Sequence, residues 1–200
     1  MFFNLFATIL GILIFLFVFW KKLKEDYSSE IIFTTALGTI LGIIIFYFLA
    51  KKFMPAYWFW SGFSGSLIGL GLTSYKFRLR FYEVFEAMVI SVLPLTAFVF
   101  LTDSVASASI LSFIYFVVIV ALIGLYYILD KRYKSFTWYR SGRIGFSGLG
   151  VTATFFLLRA LFALFFPNAL SFVNKFEPIV SGIVTFIFFL LLFNLSRKVS

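Results

Sequence analysis

Seven apolar runs, at approximately 2–20, 31–50, 57–75, 81–101, 108–129, 144–166 and 176–195, take up most of the 200 residues of this chain. Each is long enough to cross ~30 Å of hydrocarbon at ~1.5 Å per residue. Backbone inside hydrocarbon must satisfy its own N–H and C=O groups, so runs of this kind fold as helices. The expectation is an all-α integral membrane protein. It is a single transmembrane domain over residues 1–200, a seven-transmembrane-helix bundle with no large external domain. Only 12% of the residues are charged, against about 25% in a soluble domain.

The loops orient the bundle. Lys21, Lys22 and Lys24 follow the first run, and Lys76, Arg78 and Arg80 the third. Lys131, Arg132, Lys134, Arg140 and Arg143 follow the fifth, and Arg197 and Lys198 end the chain. The opposite side carries Lys51, Lys52 and Lys175 alone. Cytoplasmic loops hold the excess of Lys and Arg, which places the N-terminus outside and the C-terminus in the cytoplasm. The first run has no basic leader and no small-residue cleavage site, so it reads as a retained span and not as a signal peptide. The net charge of +9 is spread over short juxtamembrane loops, which points to topology and not to nucleic acid.

Several chemistries are excluded at once. The chain has no cysteine and no histidine. Disulfides, thiolate metal sites, a cysteine nucleophile and the commonest general base are therefore absent. No metal or cofactor is expected. The 32 Phe residues read as lipid-facing surface and not as a site.

One charge lies inside a run. Arg159 sits in Val151-Thr-Ala-Thr-Phe-Phe-Leu-Leu-Arg-Ala-Leu-Phe-Ala-Leu-Phe-Phe166. A guanidinium in hydrocarbon costs at least ~2.5–3.5 kcal/mol and cannot shed its proton, so it calls for a partner, a watery cavity or an anionic ligand. The orientation puts it about 10 Å below the outer interface at helical rise. Ser64, in a run descending from the same side, falls at a similar depth. Two readings stay open: snorkelling to the outer headgroups, or a cavity shared with Ser64.

Small residues cluster in two places. Gly38-x-x-x-Gly42 reads as a helix-packing face. Ser61 to Gly71 holds seven Gly or Ser in eleven residues. That is more than one packing face requires, and exposed backbone N–H groups there can meet a phosphate. Packing alone remains the other reading. Among the acids, Glu83 is expected to reach the cytoplasmic interface. Glu86 lies deeper and needs a partner, a basic residue of an inner loop. A structural role for these two outweighs acid–base chemistry. Glu177, which opens the last run, is expected to be wet.

The order of these features resembles prolipoprotein diacylglyceryl transferase, a bacterial family with seven spans and the same orientation. Gly38-x-x-x-Gly42 with Tyr47 resembles its G-x-x-x-G-A-R-x-x-Y segment. Ser64-Gly65-Ser66-Leu67-Ile68-Gly69 resembles its H-G-G-L-I-G motif. Arg80-Phe-Tyr-Glu-Val-Phe-Glu86 resembles the approach to an acidic residue in its fourth span. Gly145 followed by Arg159 resembles its late span, and Pro178-Ile-Val-Ser-Gly182 its closing helix. The chain departs from the pattern at Ser64, where the family has histidine, at Ile44, where it has arginine, and at Ala163, where it has glutamate. The G-R-x-G-N-F motif is missing after the fourth run. Gly142-Arg143-Ile144-Gly145 is similar to it but falls on the inner side.

The resemblance implies a bacterial plasma (inner) membrane protein that binds phospholipid, phosphatidylglycerol in the family, in an outer-leaflet cavity. The family moves diacylglycerol to the cysteine thiol of a lipoprotein precursor peptide. Arg159 is then the candidate catalytic residue. Arg159, Ser64, Gly65 and Ser66 would bind the lipid phosphate, with Glu86 and Tyr47 as structural polar residues. A serine hydroxyl takes no proton near neutral pH, so Ser64 cannot replace the missing base. A catalytically inactive lipid-binding or scaffold homologue is the alternative, and an unrelated small transporter is the next.

Overall fold

The computed structural model describes residues 2–132, 145–166 and 171–197. Seven long helices account for nearly all of them: α1 (Phe2–Leu23), α2 (Ser29–Phe53), α3 (Trp58–Phe77), α4 (Phe81–Ser107), α5 (Ile110–Arg132), α6 (Phe146–Phe165) and α7 (Glu177–Arg197). Short 3-10 turns at Pro55–Tyr57 and Asn174–Phe176 lead into α3 and α7. Among the described residues there is no strand. Helices α2, α4, α5, α6 and α7 are long and apolar enough to cross a membrane, the pattern of a multi-pass membrane protein. Large apolar side chains cover the outside, among them Phe48, Leu72, Ile110 and Phe186. A soluble monomer rarely exposes so much apolar surface. The basic residues Lys134, Arg140, Arg143 and Lys198, expected on the inner side, lie outside the described residues with Gly142 and Ile144.

Helix ends follow local chemistry. Arg78 takes a left-handed conformation (φ 54°) after α3, and the Leu79 N–H returns to the Ser74 carbonyl at 2.9 Å, a C-terminal cap. Gly145 (φ 100°) opens α6, and a Cβ there would lie 2.7 Å from Tyr82 Cβ. The expected outer loop Thr102–Ser107 is instead the last turns of α4. Ser107 donates to Asp103 one turn earlier, and Ala108 (φ 49°) ends the helix.

Helix α4 is the axis of the bundle. Every residue from Glu83 to Ser91 is buried, because α1, α5 and α6 surround it. The tightest pairing is α2 with α3, and glycine is its reason. A Cβ on Gly42 would sit 2.2 Å from the Gly65 carbonyl oxygen, one on Gly65 2.3 Å from that of Gly42, and one on Gly69 2.3 Å from that of Gly38. The backbones touch, as small-residue motifs permit. That assigns Gly65 to packing. The α2–α3 pair meets α1 and α4 far less closely, and crevices remain between them.

Contacts define the two ends of the bundle. Lys22 of α1, Glu86 of α4, Tyr126 of α5 and Gly145 before α6 meet at one end. Trp60 of α3, Arg159 of α6 and Glu177 of α7 meet at the other.

Candidate functional site

Arg159 is buried, 3% exposed, and its partner is protein. Its Nε donates to Glu177 Oε1, its Nη1 to Ser171 Oγ at 2.9 Å, and its Nη2 to the Ser171 carbonyl oxygen. The Phe59 ring covers the guanidinium with its centroid 3.8 Å from Cζ, and Phe172 lies 4.7 Å away. Weakly hydrated and planar, a guanidinium suits such stacking. Arg159 also borders a void of about 20 Å³, room for one water and not for a phosphate.

Glu177 corrects the sequence expectation. It is fully buried, not wet. Its carboxylate accepts from Arg159 Nε, Ser181 Oγ (2.7 Å), Trp60 Nε1 (3.0 Å) and the Val173 N–H (3.0 Å). The reason lies in the connection. Ser171, Phe172 and Val173 fold inward and are themselves buried, which lowers the start of α7 into the bundle beside Arg159. Ser171 adopts φ 74°, a strained conformation for a residue with a Cβ, and presents both its hydroxyl and its carbonyl to one guanidinium. The cluster ties α3, α6 and α7 together with its charges balanced.

The other predicted site residues lie apart from this cluster. Ser64 is exposed, one turn after Trp60 on α3. Gly65 packs on Gly42. Ser66 is buried and donates to the Phe63 carbonyl at 2.7 Å. Tyr47 stands edge-on to Trp58 with ring centroids 6.2 Å apart.

The inner-loop partner expected for Glu86 is Lys22, whose Nζ lies 3.0 Å from Oε1. Tyr126 Oη and the Gly145 N–H also donate to Glu86, at 2.9 and 2.7 Å. Glu86 therefore holds the start of α6 against α1, α4 and α5, with the helix dipole in its favour. Glu83 is buried rather than extended to an interface, and accepts from Tyr27 Oη at 2.8 Å. Among the described residues no three acidic, histidine or cysteine side chains could hold a metal ion.

Space for a ligand lies elsewhere. A cavity of about 190 Å³ separates α2 and α3 from α4 and α6, walled by Phe59, Phe63, Met88, Leu93 and Phe156. A crevice of about 840 Å³ between α1, α2 and α4 adjoins it, and Ile43, Tyr47, Trp58, Leu95 and Val99 line both. The crevice is within the range of about 300–1,000 Å³ typical of ligand sites. Its walls are mostly apolar, its charged groups, Lys51 and Asp103, come from the ends of α2 and α4, and Thr8, Tyr47 and Thr102 add polar atoms. Phe59 and Ser171 line the smaller cavity while also contacting Arg159, so the arginine supports the wall and is covered from the space.

No protein-family model, curated protein or solved structure matches the chain.

Proposed function

We infer that this is a lipid-binding membrane protein whose crevice between α1, α2 and α4 accepts the hydrocarbon of a phospholipid. The observation that carries this reading is the pair of adjoining cavities, apolar in depth and polar at one rim. The seven helices are spans with the N-terminus outside and the C-terminus cytoplasmic, as the distribution of Lys and Arg argues. The crevice rim then lies in the outer leaflet of a bacterial inner membrane.

On this reading the chain keeps an arrangement resembling the diacylglyceryl transferases and has lost their chemistry. Transfer to a thiol needs a base and a cation for the phosphate leaving group. Histidine is absent from the sequence. The guanidinium that would serve as the cation already bonds Glu177 and Ser171.

The test is lipid analysis of the full chain purified in mild detergent. About one phospholipid per chain is expected to co-purify, and Ile43→Trp, which fills the space shared by both cavities, to lose it while the protein stays folded. Absence of lipid from the wild-type chain would refute the reading. A parallel assay with phosphatidylglycerol and a lipoprotein precursor peptide is expected to show no thioether product. Its formation would restore the enzymatic reading.

A further inference from the structure

The mouth of the crevice carries one positive and one negative group on facing walls. Lys51 comes from the end of α2 and Asp103 from the last turns of α4, and both line the same space. The two are not paired with each other. Elsewhere Lys22 pairs with Glu86 and Asp130, and Arg159 with Glu177. Asp103 is nonetheless held in place, since it accepts from Ser107 Oγ at 3.2 Å and from Ser112 Oγ. Two hydroxyl donors leave a carboxylate with further acceptor capacity. Lys51 is exposed and makes no hydrogen bond or ion pair among the described residues.

Depth adds a second constraint. The crevice runs from Lys51 down α2 to Ile40 and from Asp103 down α4 to Leu95. That is about 16 Å along α2 at ~1.5 Å per residue, or half of a ~30 Å hydrocarbon core. A slot of one leaflet's depth with its charges at the rim matches one lipid standing upright.

We propose that the crevice selects a zwitterionic phospholipid, its phosphate on Lys51 and its head-group ammonium on Asp103. This rests on the lipid-binding reading and names the class of lipid. An anionic head group without an amine could satisfy Lys51 but would bring no cation to Asp103. The carboxylate would then face a second negative charge across the mouth, so the same pair that favours one class disfavours the other.

Native mass spectrometry of the intact, delipidated chain tests this by titration with phosphatidylethanolamine and, separately, phosphatidylglycerol of matched acyl chains. The wild-type chain is expected to bind phosphatidylethanolamine at least fivefold more tightly. Asp103→Asn keeps an oxygen acceptor for Ser112 and is expected to abolish that preference, by weakening phosphatidylethanolamine and by relieving the repulsion of phosphatidylglycerol. Lys51→Gln is expected to weaken both lipids. Equal binding of the two lipids, tighter binding of phosphatidylglycerol, or an unchanged preference in Asp103→Asn would overturn the head-group assignment and leave lipid binding standing. Failure to bind either lipid would instead overturn the lipid-binding reading beneath it.

Discussion

Two charge pairs lie toward the same end of the bundle and are treated in opposite ways. Arg159 and Glu177 are buried, bonded to each other and surrounded by further donors and acceptors. Lys51 and Asp103 line an open crevice without pairing. An unpaired charge cannot stay in a dry interior, so the buried pair had to be completed by the protein itself. The rim pair lines an open crevice, with Lys51 exposed, and can be left incomplete. The deep charge therefore holds the fold, while the shallow ones remain available to a ligand. A charge inside an apolar run attracts attention as a site, yet here its depth has forced it into structure.

The largest effect should come from breaking the buried pair. Arg159→Ala leaves Glu177 without its cation and should cost about 3–5 kcal/mol, read as an early thermal unfolding transition in detergent. Arg159→Met combined with Glu177→Leu removes both charges and should recover most of that loss. Forcing the glycine seam apart comes next. Gly65→Leu drives a side chain into the Gly42 carbonyl and should cost about 1–3 kcal/mol or more as overpacking, with loosened α2–α3 contact visible as faster amide exchange in both helices. Glu86→Ala at the other end should cost about 1–3 kcal/mol. Lys22 keeps Asp130 at 2.8 Å as a second acceptor, whereas among the described residues Glu177 is the carboxylate that meets Arg159. Smallest of all, Lys51→Gln should move stability by less than about 0.5 kcal/mol and be felt in lipid binding alone. A large loss of stability from Lys51→Gln would erase the distinction between the two pairs.

Much of this was legible in the residues. The apolar runs locate all seven helices to within a few positions, apart from the end of α4. There the polar run Thr102–Ser107 resembles a loop, yet Asp103 and Ser107 satisfy each other one turn apart and keep the helix going. Glu86 announced its need for a basic partner, and Lys22 supplies it. The Arg159 site was half legible. Its position alone called for a partner, a watery cavity or an anionic ligand, with snorkelling left open, and did not say which. Glu177 stands at a span boundary, and nothing in its neighbours shows that Ser171–Val173 would fold inward and carry it down. The sequence separation of 18 residues between Arg159 and Glu177, across one short connection between antiparallel helices, was the available signal. Ser64 is exposed, while Trp60, one turn earlier on α3, is the residue that reaches Glu177, and equal depth in the sequence could not tell the two apart. The crevice was invisible, since it depends on how closely α1 and α4 approach α2.

The central claim is that Arg159 serves the fold and the crevice serves the lipid. The amount of phospholipid co-purifying with the Arg159→Met/Glu177→Leu chain tests it most directly. A folded double variant that keeps wild-type lipid stoichiometry is the predicted result. A folded double variant stripped of its phospholipid would make Arg159 the lipid anchor after all and contradict the account.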